Sequence, residues 1–315
     1  MLKFFEDAIA NSPSDLKYWP LYMYHFTDII NAVSILKQGK IFSRKQALEL
    51  KLMEVDNASH EVIDQTRDFV EEYVRFYFRP LTPTQYNNEG LKHINVSDSH
   101  CPRPVFFLFD NSIVESYSAN SLYGEKTFAS DLTLPTTDYR SINSFSQLIY
   151  HYGSYDVLNQ SAIKQYRQAE FAVKDSIDLS KLKWIVLRSN AEKEFLLYWL
   201  HDKDIYKYDE IIRTYKELNY SKMFYLHNLY IDEVIMTEKY VNIIFENLHK
   251  YDYKVKTYVK FDDSNTQYEL QLDPQYNTYY IDSNMYHNMY KIKVVVDGFV
   301  MYVGEFKKNK TELPF

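Results

Sequence analysis

The hydrophobic pattern changes its period within one short stretch, "LYMYHFTDIINAVSILKQGKIFSR", at residues 21–44. Residues 21–26 alternate between apolar and polar side chains, which indicates a strand, whereas residues 28–38 follow the period of an α-helix. Gly39 comes next, at a position suited to the end of a helix. A strand that leads directly into a helix leaves backbone amides without helical partners at the corner, beside His25 and Thr27.

Composition excludes several classes of protein. The 315 residues include only 6 glycines and neither GxGxxG nor GxxxxGK[ST], so a glycine-rich phosphate loop is excluded. The single Cys101 excludes an internal disulfide and a cysteine-rich zinc site. The 9 histidines include no HExxH motif and no pair at ligand spacing beside acidic partners, so we expect no metal.

The charge and the aromatic content limit how the chain can contact nucleic acid. A net charge of −7 restricts such a contact to a local cleft. The 31 tyrosines and 20 phenylalanines reflect either an AT-rich genome or a set of rings that stack on bases. No apolar stretch is long enough to span a membrane, and the first residues carry acids where a signal peptide is basic, so we expect a cytoplasmic protein without a membrane partner.

The remaining pattern predicts an α+β fold with strands scattered among helices. The segment at 168–175 fits either a strand or a helix, and the last fifty residues alternate as strands do. Strands are predicted at 73–80, 104–109, 182–187, 231–237 and 253–261, and helices over 190–230 and 239–251.

Several side chains have types that suit chemistry, and each also has a structural explanation. His25 and Thr27 can bind the hydroxyls of a ligand, or they can be a core histidine and a helix cap. Arg67 lies in a charged segment, where an exposed arginine is common. Glu170, between Ala169 and Phe171, can be a general base if it is buried, or it can face water.

The alternating segment "YVRFYFRP" at 73–80 mixes rings with guanidinium groups. Tyr73, Arg75, Tyr77 and Arg79 are predicted to share one face of a strand, which suits a groove for single-stranded nucleic acid. The structural explanation is an ordinary half-solvated strand face.

Taken together and in order, these stretches resemble the DarT family, a family of nucleic-acid ADP-ribosyltransferase toxins. The resemblance covers roughly residues 20–190 and rests on five segments. They are "YHFTDIINAVSILKQGKIFS", "VIDQTR", "YVRFYFRPLTPTQYN", "FFLFDNSIVES" with "FASD", and "RQAEFAVKDSIDLSKLKWIVL".

The resemblance implies an ADP-ribosyltransferase-like fold, with a split, mostly antiparallel sheet and flanking helices. It also implies transfer of ADP-ribose from NAD to a base in single-stranded DNA, without a metal, by a toxin that an antitoxin controls. Phage defence belongs to the same expectation. Glu170 and Arg67 would be catalytic. His25, Thr27, Asn31 and Tyr77 would bind NAD, and Arg75, Arg79 and Thr133 would contact the nucleic acid.

The chain departs from the family pattern at two places. Thr133 stands near the position of a family histidine, and Arg75 replaces a proline of the strand. These changes keep two alternatives open, which are the same chemistry on RNA and a catalytically inactive nucleic-acid- or protein-binding relative. We expect one domain over residues 15–262, with a helical insertion at 190–228, and a β-rich extension over residues 263–315.

Overall fold

The structure is a computed structural model. It describes residues 2–53, 68–92, 99–124, 136–138, 146–153, 160–247, 254–261, 265–271, 277–282 and 286–308. The α-helices in these residues are α1 (Lys3–Asn11), α2 (Ile29–Gln38), α3 (Arg44–Glu49), α4 (Pro83–Asn88), α5 (Ile113–Ser116), α6 (Ser146–Ile149), α7 (Gln160–Tyr166) and α8 (Asn190–His201). Short 3₁₀ turns span Ser14–Leu16, Trp19–Leu21, Asp68–Glu72, Ser118–Asn120 and Asp209–Ile211.

The described strands form two larger and two smaller sheets. The first nine are β1 (Tyr22–Asp28), β2 (Lys40–Phe42), β3 (Tyr73–Tyr77), β4 (Pro104–Asp110), β5 (Ser121–Gly124), β6 (Glu170–Lys174), β7 (Ser176–Asp178), β8 (Leu182–Leu187) and β9 (Ile212–Thr214). The others are β10 (Tyr230–Met236), β11 (Tyr240–Glu246), β12 (Lys254–Phe261), β13 (Asn265–Gln271), β14 (Thr278–Asp282), β15 (Met289–Val296) and β16 (Phe299–Lys307).

The central sheet contains seven of the described strands, in the order β5-β6-β3-β1-β4-β8-β9. All neighbours are antiparallel except β8 and β9. In the described residues, β1 pairs with β4 along its whole length but with β3 only at Tyr24 and Tyr77. The sheet therefore opens between β1 and β3, and the predicted split, mostly antiparallel sheet is confirmed.

The central sheet is covered on both faces. Residues 104–109 of β4 are all buried, although neighbouring residues of a strand point to opposite faces. Phe106 packs on Phe224, with ring centroids 5.4 Å apart, and Phe107 packs on His25 on the other side. Helix α2 packs on α8, so these helices form part of one covering layer.

The C-terminal part of the chain forms two sheets, with strand orders β10-β11-β14 and β13-β12-β15-β16. Helix α8 contacts both β10 and β16, which attaches these sheets to the catalytic region. Strands β2 and β7 form a separate small pair. The β-rich C-terminal region is confirmed for its described strands, whereas the boundaries at 262 and 263 lie outside the described residues.

Two predicted helices are wrong. Residues 240–246 form β11, because Val241, Ile243 and Phe245 are buried on one side of an antiparallel sheet. Only Asn190–His201 of the 190–230 segment is an α-helix. Residues 212–214 form β9, which pairs in parallel with β8 in the central sheet. That the 190–228 segment is an insertion stays a prediction.

Candidate active site

Three neighbouring strands of the central sheet hold most of the predicted site residues. His25 and Thr27 lie on β1, Arg75 and Tyr77 on β3, and Glu170 is the first residue of β6. Tyr77 is the register partner of Glu170, so these two residues lie side by side on one face of the sheet. The ambiguous segment at 168–175 is therefore a strand from Glu170 onward.

The centre of the site is a buried ion pair between Arg75 and Glu170. The Arg75 guanidinium donates to Oε1 of Glu170 over 2.6 Å, and the Glu170 side chain is 0% exposed while that of Arg75 is 27% exposed. A buried carboxylate is costly unless a cation and hydrogen bonds compensate its charge. Burial opposes the charge of Arg75, but the neighbouring Glu170 and Tyr77 outweigh this effect and raise the pKa of Arg75.

Tyr77 lies beside this ion pair and is almost completely buried. Burial, followed by the nearby charge of Glu170, raises the pKa of Tyr77, so its hydroxyl stays protonated at neutral pH. Next to it, Thr84 of α4 donates to Oε1 of Gln168 over 3.1 Å. This contact ties α4 to the segment that leads into Glu170.

His25 connects β1 to β3 at the point where the two strands separate. Its Nδ1 lies 3.0 Å from the carbonyl oxygen of Arg75, and because a carbonyl only accepts, Nδ1 carries the proton. Burial lowers the pKa of His25 to about 4, so the ring is neutral at physiological pH with Nε2 as an acceptor. The imidazole thus occupies a backbone acceptor of β3 where pairing with β1 has ended.

His25 and Glu170 approach Arg75 from its two ends. The His25 ring lies 5.7 Å from Phe76 and 6.3 Å from Phe107, measured between centroids. Because Phe76 and Arg75 are neighbours on β3, their side chains point to opposite faces. His25 and Glu170 are therefore joined through one residue, which gives its carbonyl to the histidine and its guanidinium to the glutamate.

Thr27, Asp28 and Asn31 lie at the corner between β1 and α2. Asp28 is the N-cap of α2, since its Oδ1 accepts from the amide of Ile30 over 3.0 Å, and it also forms a buried salt bridge with Arg103 at 2.9 Å. Thr27 is buried, and its hydroxyl accepts from the side-chain amide of Asn31 over 3.4 Å. Of the two predicted caps, the structure selects Asp28.

Arg79 does not share a face with Arg75, which corrects the prediction that it contacts nucleic acid. Strand β3 ends at Tyr77, so the alternation does not extend to residue 79. Arg79 is 1% exposed, donates to the carbonyls of Pro80, Ile149 and His151, and lies 4.2 Å from the ring centroid of Trp19. It is a structural residue of the core.

Two predicted site residues, Arg67 and Thr133, lie outside the described residues. Sequence reasoning missed the pairing of Arg75 with Glu170. The signal for it was Arg75 itself, since a cation at a proline position of a sheet strand needs an acidic neighbour when the strand is buried.

Two further observations concern cofactors and membranes. In the part of the chain that the structure describes, no group of three or more His, Cys, Asp or Glu side chains is placed to hold a metal ion. None of the described helices is long and apolar enough to cross a lipid bilayer.

Comparison with known proteins identifies the family. The sequence model described as "DarT: ssDNA thymidine ADP-ribosyltransferase, DarT" matches residues 24–217, more than half of the chain. No curated protein matches the chain.

Solved structures of the same family share the fold. Thermus sp. 2.9 DarT in complex with NAD+ aligns with a TM-score of 0.50 at 15% identity, covering 65% of this chain and 98% of that chain. The complex of that protein with ADP-ribosylated ssDNA has a TM-score of 0.49 at 15% identity and coverages of 62% and 93%. Thermosipho africanus DarTG in complex with ADP-ribose has a TM-score of 0.45 at 15% identity and coverages of 68% and 53%.

The predicted fold, the class of enzyme and NAD as substrate are confirmed at the level of the family. The match over more than half of its length shows that the chain belongs to the DarT family of ssDNA thymidine ADP-ribosyltransferases.

Proposed function

We propose that Glu170 is the catalytic carboxylate for transfer of ADP-ribose from NAD to a thymidine base in single-stranded DNA. The observation that carries this proposal is the Arg75–Glu170 pair, a fully buried carboxylate held 2.6 Å from a guanidinium at the edge of a split sheet. A structural salt bridge does not require this position. A carboxylate that must stay ionised and fixed next to a reacting sugar does.

The chemistry fits the groups that are present. The bond between nicotinamide and ribose C1′ breaks and its electron pair leaves with nicotinamide, while positive charge develops on the ribose. A nitrogen of the base forms the new bond to C1′ and loses a proton. Glu170 can stabilise the positive charge and accept this proton, directly or through water.

The other residues of the site suit recognition of NAD. His25 is neutral, so its Nε2 can accept a hydrogen bond from a ribose hydroxyl. Thr27 and Asn31 offer a hydroxyl and an amide at the corner where α2 begins. Tyr77, protonated beside Glu170, can line the pocket for nicotinamide. Binding of nucleic acid by Thr133 and catalysis by Arg67 remain predictions.

Arg75 is a positioning residue in this proposal. Its guanidinium contacts Glu170 rather than solvent alone, which differs from the expected role in binding nucleic acid. A charge-assisted hydrogen bond both orients the carboxylate and keeps it ionised.

The test is transfer of labelled ADP-ribose by Glu170→Gln, with single-stranded DNA and RNA offered in parallel. We expect a rate about 10²–10⁴-fold below that of the unchanged protein, because the amide cannot accept a proton. Glu115→Gln, which changes an exposed carboxylate, is the matched control and should keep full activity. An unchanged rate in Glu170→Gln with a normal melting temperature would refute the assignment.

The same assay decides between the alternatives. Labelled DNA with unlabelled RNA would exclude RNA as the target, and any transfer by the unchanged protein would exclude an inactive relative. Mass spectrometry of the labelled oligonucleotide identifies the modified base.

The biological setting extends the proposal from the family resemblance. We propose a toxin with an antitoxin partner and a role in phage defence, located in the cytoplasm, where NAD and single-stranded DNA are both present. Growth arrest on expression, relieved by the antitoxin and absent in Glu170→Gln, would support the toxin assignment. Normal growth with active protein in the cell would contradict it.

A further inference from the structure

The sheet β13-β12-β15-β16 presents a row of lysines to solvent. We call this surface the lysine face. It consists of Lys256, Tyr258 and Lys260 on β12, Lys291 and Lys293 on β15, and Lys307 on β16. The strand register places Tyr258 beside Lys293 and Lys260 beside Lys291, so the members are neighbours on one surface.

Alternation explains why these side chains face outward. Val255, Thr257 and Val259 of β12 are buried, and the residues between them are exposed. The buried side of the sheet packs towards α8, where the hydroxyl of Tyr302 contacts Glu194 over 2.9 Å. The lysine face is therefore the side of the sheet that α8 does not cover.

The charge of the lysine face is opposite to that of the whole protein. The chain carries a net charge of −7, yet five lysines lie together on this surface. Among the described residues, Glu305 is the acid that contacts them, at 3.8 Å from Lys291 and 2.5 Å from Lys307. Lys260 and Lys293 form no salt bridge within the described part of the chain, so their charge remains available to a polyanion.

An aromatic ring lies within this cationic surface. Tyr258 is 37% exposed, and its register partner is Lys293. Proteins that bind single strands without a strict sequence preference combine cations for the phosphates with rings on which bases stack. Attachment to a membrane surface needs a broad apolar face in addition to cations, and this surface has only Tyr258 and the edge residue Met289 as exposed apolar groups among the described residues.

We propose that the lysine face binds single-stranded nucleic acid away from the reaction site and holds the substrate strand to the enzyme. This inference rests on the proposed function, because the strand it holds is the acceptor of that reaction. The lysine face lies beyond residues 24–217, which the family model covers. It is thus a feature of the C-terminal region rather than of the catalytic domain.

The geometry predicts a dependence on the length of the strand. Helix α2 begins beside the site, α2 packs on α8, and α8 packs on β16. Two helix layers of about 10 Å each separate the sites by roughly 20 Å. At about 3.4 Å per nucleotide, a strand of ~6 nucleotides reaches barely one site and a strand of ~30 reaches both. Occupying both sites raises the apparent affinity for the longer strand.

The test measures binding of labelled ~6- and ~30-nucleotide single-stranded DNA by fluorescence anisotropy without NAD, over a range of salt concentrations. The variants are Lys260→Gln/Lys293→Gln and Tyr258→Ser, with Lys181→Gln/Lys207→Gln as a control that removes the same charge at exposed positions elsewhere. Thermal melting confirms that each variant folds.

We expect roughly tenfold weaker binding of the long strand by the double lysine variant, with the slope of log Kd against log salt reduced by about 1.4, and a similar loss by Tyr258→Ser. Binding of the short strand and transfer to it should not change. Equal affinity of all variants for the long strand would overturn the proposal, as would a loss of binding to phosphatidylserine vesicles without a loss of DNA binding. Failure of the proposed function would instead appear as no transfer to either strand by the unchanged protein.

Discussion

The central sheet and the C-terminal four-stranded sheet both place cations at alternating positions of a strand, yet the cations have different roles. Arg75 on β3 is partly buried and joined to Glu170. Lys260 and Lys293 lie on an exposed surface. The difference comes from the layers around each sheet, because the central sheet is covered on both faces and the other sheet packs on α8 with one face only.

The comparison teaches that alternation alone does not assign a role to a charged residue. A cation on a covered face must find its partner inside the protein, since burial of an unpaired charge is costly. A cation on an open face keeps its charge for an external ligand. Arg79 is a third case, because it lies beyond the end of β3 and donates to three backbone carbonyls in the core.

The largest expected difference is between Arg75→Met and Lys293→Met, which make similar changes in the two sheets. We expect Arg75→Met to lower the free energy of unfolding by about 4 kcal/mol, because it leaves the Glu170 carboxylate buried without its cation. Lys293→Met should change it by less than about 0.5 kcal/mol. Urea unfolding measures both values.

A second variant makes this prediction specific to the ion pair. Arg75→Met/Glu170→Gln should be more stable than Arg75→Met alone, since the amide carries no charge that needs compensation. If the double variant is less stable than either single one, Arg75 stabilises the sheet by packing and the comparison fails.

Arg79→Met is expected to cost roughly 3 kcal/mol, because it removes charged donors from buried carbonyls and the contact with Trp19. The fraction that folds should keep its rate of transfer, unlike Arg75→Met, because Arg79 lies outside the site. Activity per folded molecule, with the folded fraction measured by circular dichroism, separates the two arginines. Loss of rate without loss of stability would return Arg79 to the site.

How much the sequence could predict depended on how local each feature is. The strand and helix at residues 21–38 and the buried strand β4 follow from nearby residues alone, and all three are present. The 239–251 segment fits both periods, since Val241, Ile244 and Phe245 also suit a helix. Pairing with β10 and β14 decided in favour of a strand.

Features that depend on distant residues could not be predicted in this way. The segment around β9 has a helical pattern, but pairing with β8 makes it a strand. Arg75 and Glu170 are 95 positions apart, so their contact follows only from the register of β3 with β6. The resemblance to a family supplied Glu170, whereas the partner of Glu170 required the structure.

The pH dependence of stability tests the covered environment of His25. Its pKa is 6.5 in the unfolded chain and about 4 in the folded protein because of burial. Between these values the unfolded chain binds a proton that the folded protein does not, so stability falls as pH drops from 6.5 towards 4, by about 1.4 kcal/mol per pH unit. Above pH 6.5 this contribution does not change.

His25→Asn is the control, because its amide can keep the donor to the Arg75 carbonyl and does not titrate. Urea unfolding at pH 7, 6 and 5 should show the stability of the unchanged protein falling relative to that of His25→Asn. A constant difference would mean that His25 is more exposed to water than the structure places it.

The smallest expected effects come from two glycines, one in each region, where the comparison predicts no difference. Gly39 ends α2 with φ 67°, and Gly298 has φ 91° in the two-residue turn between β15 and β16. A Cβ at either position meets nothing within 4 Å. Gly39→Ala and Gly298→Ala should therefore each cost about 1 kcal/mol, the strain of alanine in the left-handed region alone. Equal values from urea unfolding would show that the regions differ in what covers their side chains, whereas a gap of more than about 1 kcal/mol would place part of the difference in the backbone.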